Sequence, residues 1–174
     1  MIRSITRAIT RPIIRAIRRA LEKTRYLIDL NGTNAYYELA QPLSYANDFK
    51  FEFEFSTSSA AQMDFVGDEN ALKLRLVIVS DKLKMLVGNG TTFVVNFEHP
   101  AIVTDGAIHK ALFRKSGTTY TIVLDGGAPV TSVVAGAVTP LATHIGQRGS
   151  DTSYFNGIIA NFKGTDLGPQ LFTT

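Results

Sequence analysis

The chain has 174 residues, no cysteine and a formal net charge of +3. That length fits one domain of about 150 residues plus an appendage, and such a domain buries about 70% of its unfolded surface without covalent staples. The lack of cysteine excludes a disulfide framework, a thiolate metal site and a cysteine nucleophile, and no apolar run approaches the about 20 residues of a membrane-spanning helix.

Charge is spread unevenly. Residues 1–25 hold seven Arg, one Lys and one Glu, a net of +7. The remainder has ten basic and 14 acidic residues, a net of −4. The basic character belongs to the leader, and the body offers no electrostatic case for nucleic-acid binding.

In the leader, Ile5, Ile9, Ile13, Ile17 and Leu21 recur every four residues, and so do Arg3, Arg7, Arg11, Arg15 and Arg19. At the helical angle per residue the two rows lie roughly 160° apart, on opposite faces. A helix over residues 2–23 would be ~33 Å long. Pro12 breaks or kinks it, because an interior proline costs about 3 kcal/mol. The isoleucines need a surface, since burying each is worth roughly 1.5–3 kcal/mol. Copies of the same helix or a protein partner are preferred to the chain's own body or to lipid. Arginine every few residues does not read as a secretory signal. A mitochondrial transit peptide is a closer match in composition, but the segment is taken as a retained anchor.

After Arg25 the helical period gives way to alternation. Phe49, Phe51, Phe53 and Phe55 alternate with Lys50, Glu52 and Glu54, which predicts a half-buried strand with an aromatic inner face. Leu72, Leu74, Leu76 and Ile78 alternate in the same way. Further strands are expected around 83–87, 93–97, 108–115, 119–124, 130–134 and 157–162. Asn31-Gly32, Asn89-Gly90, Asp105-Gly106, Asp125-Gly126 and Asn156-Gly157 read as tight turns between them. Many short strands without intervening helices imply an all-β, antiparallel jelly-roll sandwich behind an N-terminal amphipathic α-helix. The sequons at Asn31 and Asn89 read as turns rather than glycosylation sites.

Three stretches resemble the concanavalin A-like and laminin-G-like families. The first is Asp48-Phe-Lys-Phe-Glu-Phe-Glu-Phe-Ser56, similar to their early core strand. The second runs from Asp105-Gly-Ala-Ile-His109 through a turn at Ser116-Gly117 to Tyr120-Thr-Ile-Val-Leu-Asp-Gly126, with Ile108 where such domains often carry Trp. The third, Ile145-Gly-Gln-Arg148 and then Tyr154 to Phe162, resembles their closing strand. The resemblance spans residues 26–172 and divides the chain into an anchor, 1–25, and a sandwich, 26–174. The leader's Ser4-Ile-Thr-Arg-Ala-Ile-Thr-Arg-Pro12 resembles N-termini of tailed-bacteriophage structural proteins.

The fold so implied hosts sugar binding, adhesion, hydrolysis and plain structure, so function has to come from a site. Glu52 and Glu54 share one strand face, but no third acid follows in the pattern of glycosidases on this fold; they read as a solvent-facing pair. His99, His109 and His144 lack metal-ligand spacing, and His109 stands where such domains usually use a structural residue. Calcium stays open, since such domains sometimes bind it; Asp64, Asp68, Glu69, Asn70 and Asp151 are the nearby oxygen donors. Tyr36, Tyr37, Tyr45 and Tyr154 are the aromatic side chains available to stack on a sugar. No catalytic, cofactor-binding or metal residue is assigned. The sequence thus predicts a non-enzymatic virion protein of capsid, collar or tail, a homo-oligomer, trimeric, joined to other virion proteins through the helix. The alternative is a carbohydrate-binding adhesin recognising host glycans.

Overall fold

The computed structural model describes residues 27–44, 48–68, 72–136, 138, 140–148 and 153–164. The candidate anchor residues Ile5, Ile9, Ile13, Ile17, Leu21, Arg3, Arg7, Arg11, Arg15 and Arg19 lie outside them, as do Tyr45, Glu69, Asn70 and Asp151.

The described residues form two six-stranded antiparallel sheets. In chain order the strands are β1 (Leu27–Asn31), β2 (Tyr37–Ser44), β3 (Phe49–Ser56), β4 (Met63–Gly67), β5 (Leu74–Val79), β6 (Lys82–Gly88), β7 (Phe93–Ile102), β8 (His109–Ser116), β9 (Thr119–Leu124), β10 (Val130–Val133), β11 (Leu141–Ile145) and β12 (Asn156–Gly164). One sheet has the order β1-β12-β3-β8-β9-β10, the other β2-β11-β4-β5-β6-β7. The all-β antiparallel sandwich expected from alternation is what the chain forms.

The core is built on β3. Its period of two sends Phe49, Phe51, Phe53 and Phe55 inward and Lys50, Glu52 and Glu54 outward. Phe53 meets Phe65 at 4.8 Å, Phe162 at 5.2 Å and Phe113 at 5.9 Å between ring centroids. Ala111, opposite Phe53 on β8, is small enough to leave the rings that room. Phe65 ties the two sheets together, standing 4.8 Å from Phe55 and 4.7 Å from Phe155. Such aromatic pairs add about 0.5–1.5 kcal/mol each beyond the area they bury.

Two irregularities shape β12. Ile159 and Phe162 both face the core although they are three residues apart, so alternation alone cannot place them. A register shift between Ala160 and Lys163, with Asn161 at φ 53°, rephases the strand and turns Phe162 inward. The expected turn at Asn156-Gly157 is not a turn; these residues open β12. Gly157 is needed for close approach instead, because a Cβ there would sit 2.2 Å from the Ser56 carbonyl oxygen.

Sheet β2-β11-β4-β5-β6-β7 departs from the half-buried pattern. Leu74, Leu76 and Ile78 face the core, yet Arg75 and Val77 on the opposite face of β5 are buried too. There Arg75 meets Asp64 of β4 in a bidentate pair, Nε to Oδ1 and a terminal guanidinium nitrogen to Oδ2, both at 2.8 Å. Asp64 is 0% exposed. The residue expected among solvated calcium-site acids is therefore a buried strand residue, with both oxygens engaged by a guanidinium. Burial pushes its carboxyl pKa up, and the hydrogen bonds and charge of Arg75 oppose that rise.

Breaking this pair should cost far more than replacing it. Asp64→Ala strands a buried guanidinium and is expected to destabilise by about 3–5 kcal/mol, whereas replacing both Asp64 and Arg75 by apolar side chains of similar volume should recover most of that loss. Urea unfolding of the two variants measures the difference; equal destabilisation would show that the pair does not act as a unit.

Candidate functional site

An exposed aromatic side chain meets a buried polar one where β11 ends and β2 begins. The Tyr36 ring lies 5.5 Å from the His144 ring and 6.2 Å from the Tyr154 ring. Tyr36 is 42% exposed, whereas His144 is only 5% exposed. Tyr36 comes from the β1–β2 loop, which Asn31 shapes: its Oδ1 accepts from the backbone N–H of Thr33, Asn34 and Ala35 at 3.0–3.1 Å. The first sequon is thus a turn, and so is the second, where Asn89 Oδ1 accepts from the N–H of Thr91 and Thr92.

Tyr154 is positioned from the other side. The Phe155 N–H donates to the Gly146 carbonyl at 2.9 Å and the Gly146 N–H to the Phe65 carbonyl at 2.8 Å. Gly146 has φ 82°, and a Cβ on it would lie 2.5 Å from Leu30 Cδ1, so the junction accepts only glycine without a shift of Leu30. His144 sits next to a register irregularity of β11 between Ala142 and His144. Beneath it, Thr143 Oγ1 donates to Asp68 Oδ2 at 3.1 Å and stands 2.8 Å from His144 Nδ1.

Of the four tyrosines expected to face a ligand, the structure brings Tyr36 and Tyr154 together. Tyr37, 46% exposed, follows Tyr36 in the chain and opens β2. Tyr45 lies outside the described residues. His144, Thr143 and Asp68 were not legible as partners, because 75 residues separate Thr143 from Asp68.

Other charged clusters are satisfied among themselves. On the outer face of β3, Glu52 receives Lys110 Nζ at 2.7 Å and Lys50 Nζ at 2.9 Å, and these hydrogen bonds pull its pKa down to about 2. A carboxylate held ionised that firmly is a poor general acid. Glu54 accepts from Asn161 Nδ2 at 2.9 Å. Among the described residues, no group of three or more His, Asp or Glu side chains is arranged to hold a metal ion.

His109 joins two loops at the same end of the sandwich. Its Nδ1 is 2.8 Å from Asp125 Oδ2 and its Nε2 3.0 Å from Asp105 Oδ1. Burial alone would lower its pKa, but the hydrogen bonds to Asp125 and Asp105 outweigh burial and raise it. Asp125 and Asp105 are lowered in turn, Asp125 against its own burial through the Lys110 N–H and His109, and Asp105 through the Ala107 N–H and His109. His109 is thus the structural residue that its position implied.

No family model matches the chain, and no curated protein sequence does either. Solved structures do match. Domains LG4-5 of the mouse laminin α1 chain align with a TM-score of 0.61 at 15% identity, over 79% of this chain and 40% of that one. A heptameric SAP-like pentraxin from Limulus polyphemus aligns with a TM-score of 0.61 at 13% identity, over 79% and 74% of the two chains. The fold is that of laminin G domains and pentraxins. The CBM40 domain of a Ruminococcus gnavus sialidase, solved with α2,3-sialyllactose, aligns with a TM-score of 0.57 at 16% identity, over 76% of this chain and 90% of that one. The described sandwich thus spans less than half of the laminin chains, which carry further domains.

The histidine clasp has a pH signature. A raised folded pKa means that the stability His109 adds is complete below its unfolded pKa and is lost as pH rises through the folded value. The lowered aspartates act oppositely, adding stability that is lost as pH falls through their folded values. His99, lowered by burial, works against His109, so the difference between wild type and His109→Gln is the quantity to measure. That difference in Tm is expected to shrink from about pH 6 to about pH 9; a constant difference would exclude the clasp.

Proposed function

We propose that the sandwich is a non-catalytic carbohydrate-binding domain, with the glycan seated on Tyr36 and Tyr154 above His144. The observation that carries this reading is the meeting of two partly exposed aromatic rings with a buried imidazole that the half-buried Thr143 hydroxyl links to a buried carboxylate. A pyranose has an apolar face and a rim of hydroxyls. It matches a surface that offers aromatic rings beside fixed polar atoms. The fold shared with a sialidase carbohydrate-binding module solved with sialyllactose supports the same class. The pairing of Glu52 with two lysines and of Asp64 with Arg75 supports a domain without hydrolytic chemistry, since a glycosidase needs one carboxyl free to donate and another to attack or activate water.

Independently of glycan binding, we infer an anchoring role for the leader within a virion; the Ile and Arg rows of residues 3–21 and the likeness of Ser4 to Pro12 to tailed-bacteriophage structural proteins support it.

A glycan array followed by calorimetry tests the assignment. Tyr36→Ala is expected to weaken binding of the selected glycan at least about fivefold, the equivalent of about 1 kcal/mol, and Tyr36→Phe should keep most of it. An array without a bound glycan, or affinity unmoved in the Tyr36→Ala, Tyr154→Ala double variant, would reject this site.

A further inference from the structure

The Thr143 hydroxyl has one proton and two neighbours that could take it, Asp68 Oδ2 at 3.1 Å and His144 Nδ1 at 2.8 Å. Given to His144, it would leave a hydroxyl lone pair facing a carboxylate oxygen at 3.1 Å with no proton between them. Given to Asp68, it forms a charge-assisted bond, about twice as strong as a neutral one. The hydroxyl oxygen is then an acceptor, and the 2.8 Å contact requires His144 Nδ1 to carry a proton. A neutral imidazole holds only one N–H, so Nε2 is bare. Nε2 has no hydrogen-bonding partner among the described residues, and the residue is 5% exposed. Nε2 is not sealed from solvent, so a ligand hydroxyl can reach it and donate its proton there.

We propose that Asp68, acting through Thr143, sets His144 in the Nδ1–H tautomer, and that the bare Nε2 makes the aromatic cluster select ligands that present a hydroxyl proton there. Asp68 and Thr143 are positioning residues and His144 is the group that reads the ligand. The ligand half rests on the glycan reading; the tautomer half does not. The ordering of atoms is specific in consequence. A sugar that offers a hydroxyl at this point binds, and its deoxy or O-methyl counterpart leaves Nε2 unpaired and is rejected.

Long-range 1H–15N correlation spectra of the full chain, labelled at histidine, read the tautomer without any ligand. His144 is assigned by its loss in His144→Gln. In wild type, at a pH where the imidazole is neutral, Nδ1 is expected to be protonated. Thr143→Val and Asp68→Asn, both close to isosteric, should shift the population toward Nε2–H, and Thr143→Ser should keep the wild-type state. A wild-type ring that is mainly Nε2–H, or one that Thr143→Val does not move, overturns the relay. On a glycan array, Thr143→Val should lose at least about fivefold of the wild-type signal. A flipped tautomer with an unchanged array signal overturns the selectivity. A wild-type array without any bound glycan, beside an intact tautomer, rejects the glycan reading alone.

Discussion

Four phenylalanines on one strand set the terms for everything else in the sandwich. Phe49, Phe51, Phe53 and Phe55 project from the inner face of β3 and meet aromatic rings of β4, β8 and β12 and of the segment leading into β12. Because the rings are large and flat, their neighbours must be graded in size and phase. Ala111 is small where Phe53 is large. The bulge at Asn161 brings Phe162 to the core side, and Gly157 lets β12 close on Ser56. The irregular features of β12 are thus answers to the packing demand of β3. A strand that obeyed strict alternation would face either Ile159 or Phe162 into water.

The same packing positions the candidate site at second hand. Phe65 and Phe155 meet as tilted rings at 4.7 Å, and this contact holds the segment that carries Tyr154 against β4. On the far side of the site, Asn31 fixes the loop that carries Tyr36, and Leu30 from the same strand fills the space that Gly146 leaves open. The rings that would meet a ligand therefore stand on rigid elements, with little ordering left to be done on binding. A second rigid feature is the Asp64–Arg75 pair. It fills the outer face of β4 and β5 with a satisfied charge pair.

The sequence announced the parts that follow a simple period. Alternation in β3, β5, β8 and β9 was plain, and the Asp-Gly and Asn-Gly turns were legible except at Asn156-Gly157. Strands β1, β2, β4 and β11 were not read. Three of them, β1, β4 and β11, have only five residues each; β4 is buried along its whole length and β11 carries an irregularity. Pro42 further obscures β2, which as an edge strand tolerates a missing backbone donor. Tyrosines could be picked out as stacking residues by type alone. The polar chain under them could not, because Asp68 and Thr143 come together only through the pairing of β4 with β11. The turn at Ser80-Asp81 shows the same limit, since both residues take positive φ without a glycine to mark them.

One consequence follows from the pairing of β1 with β12. These strands are antiparallel neighbours, with Leu27 opposite Ala160, so the chain enters β1 and leaves β12 at the same end of the sandwich, away from Tyr36 and His144. A pull applied through Leu27 and Gly164 would load the hydrogen bonds between these two strands one after another, as a zip is opened, rather than all at once in shear. The domain would accordingly be mechanically soft along its own termini, and the first strand to leave would be β1, whose departure uncovers Ile28 and Leu30. Leu30 packs against Gly146, so tension on the chain reaches the floor of the aromatic cluster before it reaches the phenylalanine core.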